Sequence, residues 1–327
     1  MVAIRTPRIR LEGRTKLQDV IPLDTPLHVF IDPSAACNFR CNFCFHSDPR
    51  NKHHEIMKWE TFTKTIAQLQ QFPRKLKAIR LYGFGEPLLN KNLSEMVAYT
   101  KRANVTEFVE FTTNGLWLNH MTNRNLVSAG LDAITISVPG ISYEAIKIAC
   151  NKPVDLSLYT MNIQDFYENK GNCRVHIKTT NAALHGKEEE DLFYELYENI
   201  CDEISIDNVV PIWPDIPGKA VEDLDIYRMK SEPVQVCPYL FYHLTIHANG
   251  DISTCFVDWN HQNVLGNVND TTLKEVWNGD WLNQLRIEHL CGLRTLEPLI
   301  CQDCPQLIYG HPDNIDKYAD EILERLR

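Results

Sequence analysis

Apolar and polar positions along the chain follow two periods. Short apolar runs at 27–32, 76–82, 107–112, 133–138, 173–179 and 203–210 read as strands. Between them, Trp59, Phe62, Ile66 and Leu69 recur at helical spacing. Leu93, Met96 and Val97 mark a second helix over 92–103, and a third is expected over 189–201. Strand–helix units in succession predict an α/β fold with a parallel sheet covered by helices, closed as a partial barrel or laid flat and doubly wound. Residues 1–26 read as an irregular lead-in, and the expected barrel covers 27–215.

The pattern breaks after residue 210. The stretch 211–219 is rich in proline, and 216–236 is expected to be a linker. Beyond it, strands at 242–247 and 251–256 flank an Asn249-Gly250 turn, a hairpin signal. Helical turns follow at 273–277 and 281–289. The small α+β unit spans 237–310, and 311–327 is expected to be a C-terminal helix.

In parallel α/β folds the chemistry collects at the carboxyl ends of the strands. Cys37, Cys41 and Cys44 follow the first strand, Gly83 to Glu86 the second, and Asn114 the third. These motifs are therefore expected on one face.

The formal charge is −10 and no basic cluster interrupts it, which argues against nucleic acid as a partner. No apolar run is long enough for a membrane span, and no signal-peptide core is visible, so a cytoplasmic protein without membrane attachment is expected. Eleven cysteines in such a chain point to metal rather than disulfides. Three thiolates at positions 37, 41 and 44 can hold a [4Fe–4S] cube with one iron left open. The alternative is zinc, with His46 as a nearby fourth ligand.

The spacing C-x3-C-x2-C, with Phe43 before the last cysteine, resembles the signature of the radical S-adenosylmethionine (SAM) superfamily. The resemblance implies a partial (β/α)6 TIM-like barrel and a cluster whose open iron is chelated by SAM. Reductive cleavage of SAM then gives a 5′-deoxyadenosyl radical that abstracts hydrogen. Gly83-Phe84-Gly85-Glu86-Pro87 resembles the family's Gly-Gly-Glu motif, which implies SAM-binding roles for Gly83, Gly85 and Glu86. Thr112-Thr113-Asn114-Gly115 resembles its TNG element, although Asn114 also suits a simple turn. Ser137 is implied as a contact to the SAM carboxylate or ribose, with Pro139 where an acid is usual. Lys178 is a contact to SAM or substrate, or else a surface lysine.

Cys237, Cys255, Cys301 and Cys304 resemble the ligands of the SPASM or shorter twitch domain. They imply one auxiliary [4Fe–4S] cluster, with an all-thiolate zinc site as the alternative. Cys150, Cys173, Cys201 and Cys291 are left over as packed thiols or hydrogen donors. Cys291, beside the auxiliary set, is the catalytic candidate. The expected reaction is oxidation of a sugar- or cyclitol-like alcohol, with Asp207, Asp215 or Asp258 as base. Epimerisation, thioether formation or carbon–carbon crosslinking of a ribosomal peptide is the alternative. The implied partners are a small molecule or short peptide and an electron donor of the flavodoxin or ferredoxin type.

Overall fold

The computed structural model describes residues 2–9, 12–213, 215–216, 219–230, 232–294, 299–310 and 313–327. Part of the proline-rich stretch (Pro214, Pro217 and Gly218) and the start of the expected C-terminal helix (His311 and Pro312) lie outside the described residues.

The strands are β1 (Ile4–Arg5), β2 (His28–Ile31), β3 (Ala78–Arg80), β4 (Val109–Thr113), β5 (Ala133–Ser137), β6 (Arg174–Thr180), β7 (Glu203–Asp207), β8 (His243–Ile246), β9 (Asp251–Ser253) and β10 (Val264–Asn267). They form one sheet in the order β1-β7-β6-β5-β4-β3-β2-β8-β9-β10. Pairing is parallel from β1 to β8 and antiparallel from β8 to β10.

The helices are α1 (Leu17–Val20), α2 (Trp59–Leu69), α3 (Leu93–Ala103), α4 (His120–Ser128), α5 (Tyr143–Cys150), α6 (Leu156–Asn169), α7 (Lys187–Tyr197), α8 (Leu273–Trp277), α9 (Asp280–Leu290), α10 (Gln306–Tyr309) and α11 (Ala319–Leu326). Local chemistry sets several of their starts. Asn119, Ser142 and Asp155 cap α4, α5 and α6, and Thr272 with Glu275 forms a capping box on α8.

Side chains alternate across the sheet. Val29, Ile79, Phe111, Ile134, Ile177 and Ile204 are buried on the helix side, in the main core. Their neighbours Phe30, Arg80, Glu110 and Thr135 face the lumen and line its cavity. The lumen is thus polar and charged, while the aliphatic core lies outside the strands.

Three expectations change. The lead-in is not irregular throughout. Ala3, Ile4 and Thr6 donate backbone hydrogen bonds to Glu198, Asp202 and Ile204, so β1 satisfies the otherwise open edge of β7. The C-terminal hairpin does not build a sheet of its own. β8 runs parallel to β2, pairing His28 with His243 and Ile31 with Ile246, and so continues the barrel sheet. Gly250 turns the hairpin with a φ of +93°. The expected linker is also tied down: Val221 donates to Val209, Ile226 to Tyr309 and Val234 to Leu307.

Candidate functional site

The loop after β2 carries Cys37, Cys41 and Cys44, and two elements cradle it. The last turn of α5 accepts backbone hydrogen bonds from Arg40 (to Cys150, 2.9 Å) and Asn42 (to Ala149, 3.0 Å). The loop after β3 lies against its other side. There Glu86 N donates to Ala36 O at 2.8 Å. A Cβ on Gly85 would stand 2.1 Å from Ser34 O and 2.3 Å from Ala36 O, so only glycine permits this approach.

Glu86 is buried and spends its carboxylate on the chain. It accepts from Thr113 Oγ1 (2.6 Å), Asn114 N (2.8 Å) and Leu88 N (2.9 Å), which ties the β3 loop to the end of β4. Asn114 accepts from Leu116 N, shaping its own turn, and donates from Nδ2 to Asn38 Oδ1 at 2.7 Å. The Asn38 Nδ2 donor is buried without a partner among the described residues, an orphan beside Cys37 that suits an acceptor on a bound group. The Ser137 hydroxyl, half-buried at the end of β5, makes no hydrogen bond among the described residues. Asp32, which ends the first predicted strand, is fully buried beneath Gly83, and burial pushes its carboxyl up to about 7.

Phe39 N donates to Cys37 Sγ at 3.5 Å. Burial pushes Cys37 up to about 12 and Cys44 up to about 11. It also raises Cys41, which the neighbouring thiols Cys44 and Cys37 push further. His46 is not a spare ligand for this set. One ring nitrogen meets Phe84 O at 2.7 Å and the other meets Asn51 Nδ2 at 3.1 Å, so the imidazole pins the two loops together. Phe45, Phe84 and Trp259 close over Cys44, with Trp213 edge-on to Phe45 at 4.8 Å.

Cys237, Cys255, Cys301 and Cys304 line one small cavity, whose remaining wall includes Leu240, Ile300 and Leu307. Burial, then the proximity of Cys304 and Cys301, raises Cys237; burial, Cys304, Asp258 and Cys301 raise Cys255. Among the described residues no three His, Cys, Asp or Glu side chains are drawn together tightly enough to hold a single metal ion. Three mutually interacting thiols on one loop, and four thiols lining one cavity, are donor sets of the all-thiolate kind that iron–sulfur clusters take.

The lumen holds a cavity of ≈ 600 Å³, within the range of small-molecule sites. Tyr239, Phe256 and Gln306 line both this cavity and the four-cysteine cavity. A hydrogen-bonded chain runs along β6 and β7 inside the barrel. Lys178 Nζ donates to Asp207 Oδ2 at 2.6 Å, Ser205 Oγ to Asp207 Oδ1 at 3.3 Å, and His176 Nε2 meets Ser205 Oγ at 2.9 Å. His176 Nδ1 lies 3.4 Å from Glu203. Burial alone would raise Asp207, but Lys178 and Arg8 outweigh it and hold the carboxylate below its ordinary value. Burial lowers Lys178 and His176. Lys178 is thus a lumen residue, not a surface lysine.

The other candidates lie elsewhere. Cys291 ends α9 as an exposed residue and lines neither cavity, so the structure does not bring it to the site. Cys150 and Cys201 bond back to carbonyls four residues earlier, and with Cys173 they are packed as small hydrophobes. Asp258 accepts from Gln262 N and Asn263 N and holds its own loop. Asp215 accepts from Gln262 Nε2 on an exposed stretch. Sequence reasoning read His46 as a possible ligand and missed Asp32, Arg8 and the His176–Ser205 link. Only the inward register of β6 and β7 would have grouped His176 with Ser205.

No helix among the described residues is long and apolar enough to cross a membrane. GTP 3′,8-cyclase of Aquifex aeolicus (strain VF5) is 33% identical over 138 residues, 41% of this chain, which spans 42% of that relative's length. The fold resembles BtrN in complex with AdoMet and 2-DOIA (TM-score 0.54, 17% identity, 85% of this chain and 92% of that one). It also resembles Streptococcus suis SuiB bound to precursor peptide SuiA (TM-score 0.64, 17% identity, 83% of this chain and 69% of that one). An iron–sulfur cluster-binding SPASM domain matches residues 237–305. The radical SAM family model matches residues 31–200, more than half of the chain, and the protein belongs to the radical SAM superfamily.

Proposed function

We propose that this radical SAM enzyme oxidises an alcohol on a sugar- or cyclitol-like small molecule held in the barrel lumen. In this reading Cys37, Cys41 and Cys44 hold the SAM-binding cluster, and Cys237, Cys255, Cys301 and Cys304 hold one auxiliary cluster. Gly83, Gly85, Glu86, Asn114 and Ser137 form the SAM pocket, and an electron donor of the flavodoxin or ferredoxin type reduces the enzyme. Bound there, the first cluster with SAM supplies a hydrogen-abstracting radical and the second an electron acceptor.

The observation that carries the reading is the wall of Tyr239, Phe256 and Gln306 shared by the lumen cavity and the four-cysteine cavity. In this reading the shared wall lets a substrate in the lumen pass its second electron to the four-cysteine site. The chain's own share is the proton. Asp207, ionised on the inward face of β7 though not itself in the cavity wall, is the assigned acceptor of the substrate's hydroxyl proton, and Ser205 and His176 lead it on to Glu203. A cavity of ≈ 600 Å³ has the size of small-molecule sites.

The test is Asp207→Asn in the reconstituted enzyme, assayed with a panel of sugars and cyclitols. Alcohol oxidation should fall by about a hundredfold or more while 5′-deoxyadenosine still forms. Unchanged oxidation removes Asp207 from the role. Product from short peptides with none from any alcohol replaces the reading with peptide modification.

A further inference from the structure

The lumen cavity carries more positive than negative side chains, although the whole chain is acidic. Arg8, Arg14, Lys77, Arg80 and Arg174 line it. Against these five cations stand three lining carboxylates, Glu12, Glu110 and Asp313. Four of the cations already have partners. Arg14 pairs with Asp313, and Lys77 donates to Thr15 Oγ1 at 2.6 Å. Arg80 pairs with Glu110 at 2.7 Å, and Arg174 lies 3.6 Å from Glu203.

Arg8 differs. Its guanidinium faces the cavity, with the Tyr227 ring centroid 6.0 Å away, and it has no hydrogen bond or ion pair among the described residues. It enters the lumen because β1 clips the preceding residues onto β7. Asp207 and Glu110 act on the half-buried guanidinium only through space, and no acid meets its N–H donors directly among the described residues. Its planar fork of donors matches the oxygens of a phosphate or carboxylate, and low-dielectric walls focus the positive potential onto such a group.

We propose that the substrate carries an oxyanion, a phosphate or a carboxylate, which Arg8 binds inside the barrel. This rests on the lumen being the substrate chamber. Discrimination against a neutral analogue follows, since that analogue leaves the guanidinium unpaired.

The experiment measures binding, not turnover, so it is decided separately from the oxidation reading. Anaerobic calorimetry on the cluster-reconstituted, SAM-bound enzyme compares inorganic phosphate, glucose 6-phosphate, glucuronate and glucose. At least one anionic probe should bind at millimolar concentration or below, about tenfold or more tighter than glucose. Whether the phosphates or glucuronate win identifies the oxyanion. Arg8→Ala should erase the preference, and Arg8→Lys should keep part of it. The proposal is overturned if no anionic probe binds, if glucose binds equally well, or if Arg8→Ala retains the preference. Turnover of a neutral alcohol without anion binding would sink this inference and leave the oxidation reading standing.

Discussion

Lys178 Nζ lies 2.6 Å from Asp207 Oδ2, the two residues standing on adjacent strands inside the barrel with the carboxylate almost wholly enclosed. Removing one partner strands a charge, whereas removing both does not. Lys178→Met should therefore cost about 3–5 kcal/mol of folding stability, and the double variant Lys178→Met with Asp207→Leu should recover most of it. Urea unfolding of the four proteins of this cycle checks the claim. Equal losses in the single and double variants would mean that the pair is not electrostatically coupled.

Gly85 sits where the β3 loop meets the backbone leading to Cys37. With Ser34 O and Ala36 O inside 2.5 Å of any Cβ, Gly85→Ala must push the two loops apart. The displacement acts on the first cysteine set and not on the second, which is built by the chain from Cys237 onward. The expected result is loss of about half of the bound iron, together with SAM binding. Elemental analysis and SAM calorimetry decide it. Full iron with normal SAM affinity would show that the loop contact is dispensable.

Acid should unfold this protein from within the sheet. Burial holds His243 down to about 3 and keeps His28 and His247 well below their ordinary values. Their folded values lie below the unfolded value of about 6.5, so the unfolded chain binds more protons as pH falls. The stability they contribute is complete above about pH 6.5 and is lost progressively toward pH 3, at up to about 1.4 kcal/mol per pH unit for each group. His243→Gln should flatten that slope in unfolding measurements between pH 6.5 and 4. An unchanged slope would assign the acid sensitivity to other groups.

The parallel strands were legible because each is a short apolar run, and the loops that carry cysteines, glycines and Asn114 follow them directly. The expected ends were too long: 203–210 stops at Asp207 and 76–82 narrows to Ala78–Arg80, because the flanking residues turn into loops. The helix α6 over Leu156–Asn169 was not expected from the sequence, although Tyr159, Ile163 and Phe166 fall at helical spacing and are buried there. The charged lumen was the least legible part. Lys178 and Asp207 stand 29 residues apart, and only strand register joins them. Arg8 gave no signal at all, since its place depends on a two-residue strand whose partner lies at Glu203 and Ile204. His46 was read as a spare ligand because sequence cannot show both of its nitrogens in use.

The two cysteine sets should load iron independently. Cys37, Cys41 and Cys44 lie on one loop after β2 and against α5, whereas the second set is gathered around β8, β9 and α10, with its own cavity. No cysteine belongs to both. Iron and sulfide counts on anaerobically reconstituted protein should give about eight irons, and about four in the variant with all three of the first cysteines changed to Ala. The complementary variant, with Cys237, Cys255, Cys301 and Cys304 changed to Ala, should keep about four irons and still bind SAM. A total near four in the parent, with zinc present, would mean that the second set holds a single ion and that the shared wall leads to no electron acceptor.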